Sequence, residues 1–210
     1  MRRSIALTLA ALLVVALAGC GPSSAGPAGN TPGLPAPPDT STWKQVGNLD
    51  YLNWKKFPVG TAVVRTATTH FGENFTTSVE TYTLKEVSDR EVTVERQNTT
   101  FRSDGSYRKV NEPDLRKVTD KVIVHPTLDP AALLKPDPQA KESGREKVSV
   151  LGTDYECTVY KWTNSTESGP MAVTLWLCDD LPGRVAKQEM TVSAAKNYTR
   201  ETVTEWRKPN

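Results

Sequence analysis

Residues 61–102 read TAVVRTATTHFGENFTTSVETYTLKEVSDREVTVERQNTTFR. Valine, threonine, tyrosine and phenylalanine recur through this stretch with a period of two, the spacing of a strand whose side chains alternate between faces. Gly72-Glu73-Asn74 and Ser88-Asp89-Arg90 interrupt the pattern with turn-forming residues. The reading is three antiparallel strands joined by tight turns: Thr61–Phe71, Phe75–Val87 and Glu91–Arg102. In the first, Val63, Ala67 and Phe71 share a face with Arg65 and Thr69, and Val64 lies opposite among Thr66, Thr68 and His70. Neither face is cleanly apolar, so one side of this sheet is expected to be solvated or to line a partly polar cavity.

Moving outward, Trp43–Phe57 carries Val46, Leu49, Tyr51, Leu52 and Trp54 in a loosely helical pattern that Pro58 ends. Its aromatic cluster, Trp43, Tyr51, Trp54 and Phe57, is read as capping one end of a β core rather than as a membrane-facing patch. Asp104-Gly105 marks a turn before a short strand at Ser106–Val110. Asn111–Asp120 is polar, begins with a Pro-containing stretch and is not read as a strand, and Lys121–His125 is a brief apolar strand cut by Pro126. Asp129-Pro130 is a helix start, with Asp as N-cap and Pro at the first helical position, and Pro136 and Pro138 stop that helix within two turns. Pro126–Ser143 is therefore an excursion between two β halves. It is a candidate lid or plug, because Leu133 and Leu134 need an apolar surface.

The second half returns to strands at Arg145–Leu151, Tyr155–Thr163, Met171–Cys178, Arg184–Ser193 and Tyr198–Arg207. Residues 155–178, YECTVYKWTNSTESGPMAVTLWLC, read as a hairpin turning within Asn164–Pro170. That register sets Cys157 against Cys178, Val159 against Trp176, Tyr160 against Leu175 and Trp162 against Val173. The face carrying Tyr160, Trp162, Val173 and Leu175 is the more apolar, and is expected to look into the core. Facing residues of an antiparallel pair lie about 4.5–5.5 Å apart at Cα, within disulfide range. Such a bridge would close a loop of about 20 residues and contribute on the order of 3 kcal/mol. Two free buried thiols are the main alternative. A metal site is disfavoured because zinc usually needs four ligands and no CxxC or HxxxH motif is present.

The fold class that follows is mainly β: a single antiparallel, strongly curved sheet or incomplete barrel with one or two short helices. Chemistry is harder to place. The only histidines, His70 and His125, fall beside a turn and at a strand end, and no G-x-S-x-G elbow accompanies them. Asp179 and Asp180 are adjacent and would point to opposite faces of a strand. The sequence therefore points to no catalytic residue, metal or cofactor, and to a non-enzymatic protein, with a hydrolase of unknown type as the least favoured reading. No basic run exceeds two residues, which excludes a nucleic-acid footprint.

At the N-terminus, Arg2 and Arg3 precede an apolar stretch, Ile5–Ala18, broken only by Thr8. This is a secretory signal, too short and wrongly flanked for an ordinary membrane-spanning helix. It ends in Leu17-Ala18-Gly19-Cys20, which resembles the lipobox of bacterial lipoproteins. The resemblance implies cleavage before Cys20 and diacylation of its sulfur, and hence a protein held by acyl chains on the non-cytoplasmic side of a bacterial membrane (the outer membrane where the envelope has one). Each buried methylene contributes about 0.8 kcal/mol to such anchoring. Loss of the signal, residues 1–19, takes Lys+Arg from 26 to 24 against 24 Asp+Glu, so the mature chain is formally neutral. Residues 20–42 follow as the lipidated cysteine and a Pro/Gly/Ser-rich tether with almost nothing to bury, whose 22 residues after the cysteine would reach about 25 Å as a flexible coil. Residues 43–210 form the β domain.

That domain, a β meander followed by a helix-bearing interruption and a hairpin with Trp176, Leu181-Pro182 and Lys187, resembles the LolA/LolB lipoprotein-carrier superfamily over about residues 43–207. The resemblance implies a half-open curved sheet with helices across its mouth and an apolar cavity for acyl chains. Tyr82, Leu84, Tyr160, Trp162, Val173 and Leu175 are the candidate ligand-binding residues, each equally readable as core. The expected partners are the membrane, through Cys20, and an apolar ligand or an envelope protein.

Overall fold

Strand pairing here joins two meanders edge to edge. The computed structural model describes residues 39–192 and 197–209. In chain order these form β1 (Lys44–Gly47), α1 (Leu49–Trp54), β2 (Ala62–Phe71), β3 (Asn74–Val87), β4 (Glu91–Arg102), β5 (Arg108–Val110), β6 (Asp114–Thr119), β7 (Lys121–Val124), a 3-10 helix (Pro130–Leu134), β8 (Lys141–Val150), β9 (Thr153–Thr166), β10 (Gly169–Leu177), β11 (Val185–Val192) and β12 (Asn197–Arg207). One large sheet runs β5-β4-β3-β2-β12-β11-β10-β9-β8, with β6 also paired to β4. Every pair in it is antiparallel, and its two ends do not meet, so it is an open sheet and not a closed barrel. A separate ribbon pairs β1 with β7.

The seam between the meanders is β2 against β12, from Phe71↔Asn197 to Ala62↔Arg207. Threonine hydroxyls reinforce it, Thr69 with Thr199 at 2.9 Å and Thr66 with Thr204 at 3.0 Å. This explains the threonine content: β-branched side chains fit the pleat, and their hydroxyls pair across strands. Register shifts occur at Leu84/Glu86, Glu142/Gly144, Trp176/Leu177 and Val203/Glu205. Such shifts bend a strand and increase its twist.

The core gathers Val63, Leu84, Val92, Val94, Val118, Cys157, Val159, Trp176, Cys178 and Leu181, closed by Tyr51 and Trp54 of α1. Asn48 caps α1 by accepting from the Asp50 backbone N–H at 3.0 Å. The Tyr51 hydroxyl lies 3.0 and 2.8 Å from the carbonyls of Ser88 and Asp89, tying the helix to the β3–β4 turn. Phe57 packs edge-on against Trp206 at 5.9 Å, and Trp43 against His125 at 4.8 Å. The aromatic cluster thus packs on the protein's own core and ribbon.

Four expectations need correction. Trp43–Phe57 is a strand plus a single short helix, because Val46 belongs to the β1–β7 ladder. Asn111–Asp120 contains a strand: β6 satisfies its backbone on β4 while burying only Val118, so it needs no apolar pattern. The Asp129-capped helix is of the 3-10 type, buries none of its residues and leaves Leu134 exposed, so it does not plug the core. The hairpin register is as expected, Val159↔Trp176, Tyr160↔Leu175 and Trp162↔Val173, but the assignment of faces is not. The main core takes the cysteine-bearing face, onto which Leu181 and α1 pack. Val173 and Leu175 are buried outside that cluster, and Tyr160 and Trp162 are half-buried.

Candidate ligand-binding groove

Trp162 and Val173 are register partners on β9 and β10, and both line a groove of about 700 Å³ beside the hairpin. Pro138, Gln139 and Ala140, which lead out of the 3-10 segment, form another wall, with Ala172, Thr163 and Thr174 between. Lys135, Lys141 and Lys161 stand around it. Asp137 fixes the turn that builds this wall, its carboxylate accepting from the Gln139 backbone N–H at 2.8 Å. The Trp162 indole N–H is buried and has no hydrogen-bond partner among the described residues. Buried indole N–H groups usually find one.

The other candidate residues lie elsewhere. Tyr160 and Leu175 pair with each other, two positions along the hairpin, and do not line the groove. Leu84 is fully buried in the main core. Tyr82 belongs to a charged cluster on the first meander. Its hydroxyl donates to the Glu80 carboxylate, which also accepts from the Arg96 guanidinium and, at 3.2 Å, from the Asn98 amide. The Arg65 guanidinium sits 4.8 Å from the Tyr82 ring centroid, donates to the Gly183 carbonyl at 3.0 Å and lies 3.9 Å from Glu201. Burial pushes the Tyr82 phenol up to about 12, so it stays a donor. Burial alone would raise Glu80, but the hydrogen bonds from Arg96 and Tyr82 outweigh it and hold the carboxyl below its ordinary value. Glu201, which lacks such donors, is raised by burial, against the pull of Arg65. Tyr82 is thus committed to a polar network and the groove does without it.

Cys157 and Cys178 are both buried, and both are free thiols in the structure. The β9–β10 ladder ends at Thr158↔Leu177, so the next facing positions are these two cysteines. Burial pushes the Cys157 thiol up to about 12 and raises Cys178 as well. A second, polar groove of about 440 Å³ lies over β2 and β12, lined by Thr66, Thr68, His70, Tyr198, Arg200, Thr202 and Thr204. Asp179 and Asp180 are exposed, and Asp179 accepts from Arg184 at 2.8 Å. Among the described residues no three His, Cys, Asp or Glu side chains are grouped to hold a metal, and no helix is long and apolar enough to cross a membrane. Cys20, the signal and most of the tether lie outside the described residues; Asp39–Thr42 form a turn in which Asp39 accepts from the Ser41 N–H at 2.9 Å.

The lysines around the groove were not foreseen from sequence. The Lys161 position follows from the hairpin register, but the approach of Lys135 depends on how residues 135–141 fold back, which has no local signature. The Glu80–Arg96 contact had one: a symmetric turn at residues 88–90 sets Tyr82 against Arg96 and Glu80 against Asn98, as observed.

No family model matches the sequence, and no curated protein matches it. Solved structures align with it only at low scores. An exported protein with a YmcC-like fold from Bacteroides fragilis aligns with a TM-score of 0.44 at 11% identity, over 72% of this chain and 97% of its own. A lipoprotein from Parabacteroides distasonis aligns with a TM-score of 0.46 at 12% identity, again over 72% and 97%. An outer membrane lipoprotein-sorting protein domain from Vibrio parahaemolyticus aligns at 0.28 and 10% identity, over 78% of this chain and 92% of its own.

Proposed function

We propose that this protein is a non-enzymatic bacterial envelope lipoprotein that holds an apolar ligand in the groove beside β9 and β10. The carrying observation is the groove itself, about 700 Å³ with Trp162, Val173, Ala140, Ala172 and Pro138 among its lining residues. Gln139, Thr163, Thr174 and three lysines complete the lining, and grooves of this size that combine apolar walls with polar groups suit small-molecule ligands. The lipobox-like Leu17-Ala18-Gly19-Cys20 supports anchoring by acyl chains on Cys20, and the tether after it supports a domain held off the membrane on its non-cytoplasmic side. In such a compartment Cys157 and Cys178 form a disulfide, since thiols so placed are oxidised there during folding.

The test is native mass spectrometry of the full-length protein released from membranes, alongside its Val173→Arg variant. A lipid-sized mass retained by the wild type and lost from the variant supports the reading. Absence of any adduct from the wild type removes the ligand and leaves an interaction module. A Cys20→Ala chain that stays in the membrane fraction with unchanged mass would count against the anchor.

A further inference from the structure

We infer that the polar groove over the β2–β12 seam is a second binding site, and that its occupant is a neutral glycan, a short run of linked sugar rings. The site is separate from the β9–β10 groove and does not depend on a ligand there.

The groove, of about 440 Å³, is floored by three cross-strand pairs, Tyr198↔His70, Arg200↔Thr68 and Thr202↔Thr66. Alternate residues of a strand share a face, so these six side chains stand on one side of the sheet. From Thr66 to His70 the trough runs about 13 Å at the usual strand rise. The register shift between Val203 and Glu205 closes one end. It leaves Thr204 without a strand partner and brings its hydroxyl to 3.0 Å from that of Thr66. Bulges re-aim side chains in this way. Aromatic rings mark the other end, where the exposed Phe75 is the β3 partner of His70, with ring centroids 5.7 Å apart.

Charge and hydrogen bonding select the occupant. Arg200 is the one charged residue besides His70 in the lining. On β11, Glu189 is shared between Lys187 at 2.7 Å and Arg200 at 3.8 Å. One net positive charge is left beside the groove, too little to select a polyanion. The lining holds no leucine, isoleucine or valine, so an acyl chain finds no apolar floor there. What the groove offers is hydroxyls, from four threonines and Tyr198, each both donor and acceptor. Those of Thr66 and Thr204 engage each other, and those of Thr68 and Thr202 are left for a ligand. A sugar ring fits both kinds of surface. Its hydroxyls donate and accept, and its C–H faces lie against threonine methyls and the electron-rich faces of aromatic rings. The β2 face of Thr66, Thr68 and His70 is too polar for a core, and a glycan is the ligand class that suits it.

The experiment uses the full-length protein in lipid nanodiscs and saturation-transfer NMR with four soluble probes: cellohexaose, chitohexaose, hexaglutamate and hexaethylene glycol. Empty nanodiscs give the background. At least one of the two sugars should take up saturation at its ring C–H protons, while hexaglutamate and hexaethylene glycol stay at background. Thr68→Val/Thr202→Val removes two hydroxyls but keeps the β-branched shape, so the strands are retained and the sugar should bind about tenfold more weakly. His70→Ala, at an exposed position, should weaken it as well. Thr69→Val/Thr199→Val changes the hydroxyl pair on the opposite face of the same strands and should leave binding as it was. No signal from either sugar, an equal signal from hexaglutamate or hexaethylene glycol, or sugar binding that survives both Thr68→Val/Thr202→Val and His70→Ala overturns the glycan site.

Discussion

Asn53 holds Gly183 in place: the side-chain carbonyl of Asn53 accepts from the Gly183 backbone N–H at 2.8 Å, while its amide donates to the Asp179 carbonyl at 2.9 Å. One buried side chain on α1 thus satisfies both ends of the turn that follows Cys178, and that turn delivers Leu181 and Pro182 to the core. The site tolerates little change. Gly183 has φ +69, and a Cβ there would meet the Arg65 guanidinium at 2.7 Å and Trp54 at 3.2 Å. Asn53→Ala leaves the Gly183 N–H without its partner and the Asp179 carbonyl with only the Lys56 ammonium at 3.4 Å. Urea unfolding should show a loss of about 1–3 kcal/mol. A loss below about 0.5 kcal/mol would mean that water replaces the amide and that the clamp is not what seats the turn.

The cysteine pair makes a conditional prediction. Oxidation breaks two S–H bonds and forms one S–S bond, while a disulfide on an exchange partner takes up the two electrons and two protons. The raised thiols would be inert once buried, so the exchange belongs to folding. Protein recovered from an oxidising compartment should weigh two hydrogens less than its reduced form. Cys157→Ser should lower the melting temperature relative to wild type under non-reducing conditions and much less in reductant, because the serine is common to both conditions and only the bridge differs. Equal losses in the two conditions would rule out the bridge.

The strands of residues 61–102 and the hairpin register were legible because period-two patterning and symmetric turns act locally. The register alone placed Trp162 against Val173. What escaped was set by contacts distant in sequence. Strand β6 is exposed but for Val118, and its place depends on the free edge of β4. The Tyr160–Val173 face reads as core because it is the more apolar face of the hairpin. The choice of the opposite face depends on Leu181 and on α1, whose contributing residues lie more than 100 positions away from Asp179 in the case of Asn53. The groove inherits the same difficulty, since one wall is a proline-rich turn whose path no periodicity records.

Glu201 predicts a pH dependence of definite sign. Burial raises its carboxyl above the ordinary value of 4.5, with Arg65 opposing and Glu80 adding to the rise. The folded protein therefore binds this proton more tightly than the unfolded chain does. The resulting stability is fully present below the unfolded value and is lost as pH rises through the folded one. Glutamine does not titrate, so the stability of Glu201→Gln relative to wild type should climb as pH rises from about 4.5 toward neutrality. Urea unfolding at intervals from about pH 4 to pH 8 reads this directly. A difference that stays flat, or falls, would show that the Arg65 attraction outweighs the burial.

The β8–β9 turn offers a stabilising change. Leu151 and Gly152 are its two central residues, between the paired Val150 and Thr153, and both have positive φ, 53° and 80°. That is the two-residue hairpin form in which asparagine followed by glycine is favoured. Leucine in the left-handed region is held there at a cost of about 1–2 kcal/mol. It recovers little by packing, since it is 57% exposed. Leu151→Asn should stabilise the domain by about 1 kcal/mol, read as a higher urea midpoint with an unchanged slope. The groove lies toward the opposite end of β9, at Lys161 to Thr163, so any mass retained there should not change. A lower midpoint would mean that Leu151 covers apolar surface that matters more than its backbone strain.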